Sequence, residues 1–163
     1  MNKEAAIPVL ETLIRRILEV EPVYFLVDLR VKPVNHIQVF LDGDDGITID
    51  KCVQFNRALY KGIEESDIYP GGDFSLEVSS PGLDEPLKLL RQYKKNIGRN
   101  IEILLLDGTK KAGRLADLNE DGIIVEEITP KNGHRLKSMH PVNPVSQTFL
   151  FNNIKTTKIQ SVF

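Results

Sequence analysis

The hydrophobic period of this chain changes across one short turn, and that change restricts the fold more than any other feature. Upstream of Ser79-Ser80-Pro81-Gly82-Leu83-Asp84, helical and strand periods interleave; downstream, after one short helix, period two takes over. Residues 4–20 read as a helix with Ile7, Leu10, Leu13, Ile14, Ile17 and Leu18 on one face. Two strands follow. Phe25, Val27, Leu29 and Val31 alternate with Leu26, Asp28 and Arg30, then Ile37, Val39 and Leu41 alternate with Gln38 and Phe40, and Lys32-Pro33-Val34-Asn35 turns between them. A second helix, 49–66, follows Thr48 as N-cap and carries Asp50 in its first turn. Its inner side is expected to be Cys52, Val53, Asn56, Leu59, Tyr60 and Ile63. A strand at 73–79 turns Phe74, Leu76 and Val78 to one side.

The order α-β-β-α-β lets two helices cover one face of a three-stranded sheet and leaves the other face wet. That open face draws on Leu26, Asp28, Arg30, Gln38, Phe40, Ser75 and Glu77. Phe40 there is either a stacking anchor or a residue packed under the chain's own linker.

Pro81-Gly82 fits a type II turn in which Gly82 supplies a positive φ, and Asp84 fits the cap of a helix opening with Glu85-Pro86. That helix, 85–95, turns Leu87, Leu90 and Tyr93 inward and ends on Lys94 and Lys95, where the helix dipole favours cations. Strands then follow at 101–105, 110–118, 123–128, 148–152 and 155–160, with Asp107-Gly108 and Asp121-Gly122 as turns and Gly113 as a bend. Five short strands with tight turns predict a small closed barrel. Residues 130–147, with Lys131, His134, Arg135, Lys137 and His140, read as a mobile loop that is either functional or incidental. The expected class is α+β, with an αββαβ domain at 1–84, a linker helix at 85–97 and a β-barrel domain at 98–163.

With 163 residues and 41% hydrophobic content the chain can bury a core. Its apolar runs fall short of the roughly 20 residues that span a bilayer. Met1-Asn2-Lys3-Glu4 leads into an amphipathic helix and not a signal peptide, and the single cysteine, Cys52, excludes an internal disulfide framework. A cytoplasmic protein with no membrane partner is expected. The net charge of −2 conceals two opposite halves. Residues 1–83 carry 8 Lys+Arg against 14 Asp+Glu, a net of −6, and 84–163 carry 13 against 9, a net of +4. Lys88, Arg91, Lys94, Lys95, Arg99, Lys110, Lys111 and Arg114 concentrate the positive excess. One half can face phosphates and the other a basic protein, or both are ordinary solvated surfaces.

Catalytic and metal motifs find no footing. Asp42-Gly43-Asp44-Asp45-Gly46 holds a literal Gly-x-x-Gly, but its acidic middle would repel phosphate, and it lacks the ligand set of a calcium loop. It reads as a solvated turn or, through Asp42, Asp44, Asp45 and Asp50, as a contact for a basic protein. His36, His134, His140 and Cys52 have no metal-ligand spacing. Neither Ser79 nor Ser80 has an evident base or a nucleophile elbow, and no Gly-x-x-x-x-Gly-Lys or dinucleotide fingerprint occurs. No enzyme, cofactor or small-molecule substrate is expected.

Phe74-Ser-Leu-Glu-Val-Ser-Ser-Pro-Gly-Leu-Asp-Glu-Pro-Leu87 resembles the signature of the bacterial ribosome maturation factor RimP family. Gly46-Ile-Thr-Ile-Asp-Lys-Cys52 and the spacing of Gly98, Asp107-Gly108, Gly113 and Gly122 resemble it too, in order along nearly the whole chain. The first half resembles a KH-like arrangement, and Gly98-Arg99-Asn100-Ile101 onward looks like an Sm/SH3-like barrel. The resemblance implies a monomeric assembly factor that matures the small (30S) ribosomal subunit without catalysis, near the decoding region, beside rRNA and a basic ribosomal protein. It implies subunit or rRNA contacts at Ser79, Ser80, Pro81, Gly82, Leu83 and Asp84. Lys88, Arg91, Lys94, Lys95 and Arg99 join them as cations placed for phosphate. Glu85 stands where many relatives have a basic residue, which Lys88 and Arg91 can replace one turn along. The rival expectation is a general RNA-binding or RNA-chaperone module, with strong and steeply salt-dependent binding.

Overall fold

Helix α1 (Lys3–Leu18) buries Ala6, Leu10, Ile14 and Leu18 along one stripe and packs on strand β1 (Tyr24–Lys32). A computed structural model describes residues 3–82, 85–127 and 145–160 of the chain, which divides into two units, Met1–Gly82 and Leu83–Phe163. In the first, β1 pairs antiparallel with β2 (His36–Gly43), and β3 (Ser75–Ser79) pairs parallel with β2, giving the order β1-β2-β3. Helix α2 (Ile49–Ser66) is the crossover that a parallel pair requires. Thr48 caps it, its hydroxyl accepting from Lys51 N at 3.1 Å.

Both helices and the inward residues Val31, Ile37, Val39 and Leu41 share one core, with Phe74, Leu76 and Val78 packed against it. Two expectations change here. Strand β1 slips register between Leu26 and Asp28, so Val27 is an extra residue and the inside–outside alternation reverses across it. Leu26 therefore lies opposite Leu41 and packs on the core instead of lining the open face. Helix α2 buries Cys52, Phe55, Leu59 and Ile63 and leaves Val53 and Tyr60 exposed, so its stripe is rotated from the expected one and takes in Phe55.

In the second unit the expected helix at 85–95 shortens to α3 (Leu90–Lys95). Residues 85–88 are not helical, and Leu87 N donates to Thr157 O at 2.8 Å. Gln92 supplies the cap that Asp84 was expected to give. Its buried Oε1 accepts from Lys88 N at 2.7 Å and Leu89 N at 2.9 Å. Asp84 itself lies outside the described residues. Gly82 is not among the residues with positive φ, and a Cβ placed on it meets nothing within 4 Å. The type II turn is therefore not formed, and glycine at 82 is not a conformational requirement.

Strands β4 (Asn100–Leu105), β5 (Lys110–Leu118), β6 (Gly122–Glu127), β7 (Ser146–Leu150) and β8 (Ile154–Ile159) form one antiparallel sheet, ordered β7-β6-β5-β4-β8. Asp107-Gly108 makes the first hairpin, with Gly108 at φ +91 and Thr109 N donating to Asp107 Oδ1. The bend expected at Gly113 falls instead between Leu115 and Asp117, where the β5 register shifts. Tyr93, Ile101, Ile103, Leu115, Ile123, Val125 and Phe149 make the core. The closed barrel is not found. Strands β7 and β8 are joined by a 3-10 turn (Phe151–Asn153) but stand at opposite ends of the sheet, and no ladder connects them among the described residues. Among the described residues the molecule is a mixed α+β protein with three α-helices and two sheets. The polar stretch at 130–147 lies outside the described residues as far as 144.

Candidate functional site

Because α2 returns the chain from the end of β2 to the start of β3, its N-terminal half lies beside the C-terminal end of β3. Between them is a groove of about 490 Å³. Ile47, Ile49, Cys52, Val53 and Val78 supply its apolar surface, and Thr48, Asn56, Arg57, Ser79 and Ser80 its polar groups. Asn56 ties the two walls together through Nδ2, which donates to Leu76 O at 3.4 Å. The sequence singled out Ser79 and Ser80, and the structure brings them together on this wall, Ser79 half-buried and Ser80 exposed. It missed Ile49, Val53 and Arg57 as groove residues. An isoleucine directly after an N-cap, 83% exposed in the fold, was the available signal.

Burial pushes the Cys52 thiol above its ordinary value, which keeps it protonated and a poor nucleophile near neutral pH. The hydrogen bond to Glu21 raises Lys51, and that 2.9 Å ion pair ties the first turn of α2 to the segment before β1.

Acidic residues surround the α2 end of the groove unequally. Asp44, Asp45 and Asp50 are exposed, whereas Asp42 is only 8% exposed and accepts from Gly43 N at 2.8 Å. Asp42 thus braces the loop and has little surface to offer a partner. Pro81 is half-buried and Gly82 exposed, and Leu83 and Asp84 lie outside the described residues.

The open sheet face carries a polar row with one ring. His36 Nδ1 lies 2.7 Å from Ser75 Oγ, and its Nε2 lies 3.3 Å from Glu77 Oε2. The sequence of groups mimics a hydrolytic triad, yet it sits on an exposed face and lines none of the described concavities. Arg30 bonds Asp28 at 2.8 Å and covers the half-buried Phe40 ring at 5.1 Å, so Phe40 is already occupied by a cation from its own sheet.

In the second unit Lys88, Lys94 and Arg99 are exposed, and Arg91 and Lys95 are half-buried. Lys88 borders a cleft of about 380 Å³ together with Tyr93, Glu120, Phe151, Lys155 and Thr157. Among the described residues no group of His, Cys, Asp and Glu is arranged to hold a metal ion, and no helix is long and apolar enough to cross a membrane.

Residues 13–84, which include β3 and the groove, match the model of the RimP N-terminal domain family. A ribosome maturation factor RimP of Cytophaga hutchinsonii is 40% identical over 119 residues, 71% of this chain and 71% of that protein. One of Christiangramia forsetii is 38% identical over 122 residues, 74% and 77% of the two chains. One of Porphyromonas gingivalis is 36% identical over 116 residues, 69% and 74%. The agreement runs well past the matched domain, and the chain belongs to the RimP family.

Proposed function

We propose that this protein is a ribosome maturation factor that binds the immature small (30S) subunit and promotes its assembly without catalysis. The observation that carries the reading is the likeness, over about 70% of both chains, to proteins named ribosome maturation factor RimP. The groove supports it, because its apolar and hydroxyl surface suits contact with a macromolecule better than bond-making.

In this reading the chain is a monomer acting in the cytoplasm through two domains, a KH-like one to residue 84 and an Sm/SH3-like one from 98, with 85–97 between them. Ser79, Ser80, Pro81, Gly82, Leu83 and Asp84 meet the particle. Lys88, Arg91, Lys94, Lys95 and Arg99 meet rRNA phosphates. Exposed Asp44, Asp45 and Asp50 face a basic ribosomal protein of the decoding region. Asp42 is left out because it is buried.

Sedimentation of a cell lysate through a sucrose gradient, with immunodetection of this protein, tests the reading. Enrichment with free small subunits and absence from intact ribosomes and polysomes is expected. Protein that stays at the top of the gradient and instead binds free RNAs would move the assignment to a general RNA-binding module.

A further inference from the structure

Strand β3 is one of the two edges of the first sheet among the described residues, and two contacts fix which of its backbone groups face outward. Ser75 N donates to Asn35 O at 3.1 Å on the β2 side, while Leu76 O accepts from Asn56 on the α2 side. Along a strand, successive residues turn their N–H and C=O to opposite neighbours. Ser75, Glu77 and Ser79 therefore serve the ladder with β2, and Leu76 and Val78 present theirs to the edge, where no strand lies among the described residues. Asn56 occupies Leu76 O. The backbone of Val78 borders the groove, and Ile49 and Val53, one helical turn apart on α2, stand 83% and 42% exposed along it.

An unpaired edge beside an apolar groove has the geometry by which sheets take up extended peptides: main-chain bonds give affinity, and the groove selects side chains. We propose that β3 is a docking strand that accepts an extended, basic segment of a partner protein as the fourth strand of this sheet. The segment pairs with Val78 and places an apolar side chain against Val78, Ile49 and Val53. The charge selects the occupant. Asp44 and Asp45 lie two to three residues before the groove residues Ile47, Thr48 and Ile49 in the chain and Asp50 follows them, all three acids exposed, on a half whose net charge is −6 from 8 Lys+Arg and 14 Asp+Glu over residues 1–83. These acids repel an RNA backbone and would repel one another across a pair of β3 edges, but they attract lysine and arginine. Arg57, the one cation along the described groove, can meet a carbonyl or carboxylate of the same segment. The inference deepens the assembly reading and rests on it only for the segment's origin, a basic ribosomal protein.

The test uses the isotope-labelled full chain and a synthetic peptide of alternating lysine and valine. Saturable amide shifts centred on Ile49, Val53, Val78 and Ser80 are expected, with slowed hydrogen exchange at Val78. Ile49→Glu and Val53→Glu, both at exposed positions, should each weaken binding by about tenfold or more, as loss of an interface anchor does. Val53→Ala should weaken it less, and a glutamate–valine peptide should not bind. Shifts confined to other residues, equal binding of the acidic peptide, or affinity unchanged in both glutamate variants would overturn the proposal. So would concentration-dependent dimerisation of the peptide-free chain through the same amides. Docking without cosedimentation refutes the assembly reading alone, and cosedimentation without these shifts refutes docking alone.

Discussion

Two buried phenols show how the same residue type can hold a fold together or merely fill it. Tyr93 donates its hydroxyl to Thr157 Oγ1 at 2.7 Å, deep in the second core, where Thr157 is 0% exposed. Tyr69, 8% exposed, stacks on Phe74 with ring centroids 5.5 Å apart, but its hydroxyl has no hydrogen-bond partner among the described residues. Tyr93→Phe leaves the Thr157 oxygen unpaired in the core and should cost about 1–2 kcal/mol. Tyr69→Phe removes an unpaired polar atom and should be neutral or stabilising within about 0.5 kcal/mol. Burial raises both phenols above their ordinary value, with the Thr157 bond partly opposing the rise at Tyr93. A raised folded-state value means that the stability from the neutral phenol is complete below the unfolded value of about 10 and is lost as pH rises through the folded value. Thermal melts from neutral to strongly alkaline pH check this. Wild type should lose stability above about pH 10, and each phenylalanine variant should lose less.

At the scale of elements, the caps are the most exposed weak points. Thr48→Ala removes the acceptor for Lys51 N and should cost about 1 kcal/mol. Gln92→Ala frees both Lys88 N and Leu89 N at a buried position and should cost more, about 1–2 kcal/mol. Urea titrations give both values, and a Gln92→Ala loss no larger than that of Thr48→Ala would deny Gln92 its capping role. The two caps also show what a sequence can reveal. Thr48 followed by Asp50 is a local signal, since both act within one turn, and the start of α2 was legible from it. Gln92 caps backward from inside its own helix, and nothing in Leu89-Leu90-Arg91-Gln92 distinguishes that from a surface glutamine. Asp84-Glu85-Pro86 was the stronger local pattern, and the pairing of Leu87 with Thr157, a contact distant in sequence, overrode it. The Val27 bulge was hidden for a related reason. Phe25, Val27 and Leu29 alternate as well as Leu26 and Leu29 pack, and only the pairing with β2 shows which residue is extra. The groove was half legible: the Ser-Ser-Pro-Gly motif marked one wall, while the other emerged only once the stripe of α2 was seen to be rotated.

Along the whole sequence the two halves carry opposite net charge, which would let each take a different partner. Residues 1–83 carry 8 Lys+Arg against 14 Asp+Glu and 84–163 carry 13 against 9, nets of −6 and +4. A basic protein segment on the first half and phosphates on the second would draw on separate surfaces, so the two contacts should be separable by mutation. Lys94 is exposed near the end of α3 and Arg91 half-buried within it, and both belong to the second unit, whereas the residues of the β3 groove belong to the first. If both meet phosphate, each releases about one counterion on binding. The double variant Arg91→Glu, Lys94→Glu should then weaken binding to purified immature small subunits and flatten the slope of log affinity against log salt by about 2. Docking of the lysine–valine peptide on β3 should be unchanged in the same variant. Fluorescence anisotropy over a salt series reads the first effect and amide shifts read the second. A slope equal to that of wild type would remove phosphate contact from α3. Lost peptide docking in a variant that still folds would show that the two surfaces work as one, because a change confined to the positive half would then have altered the negative one.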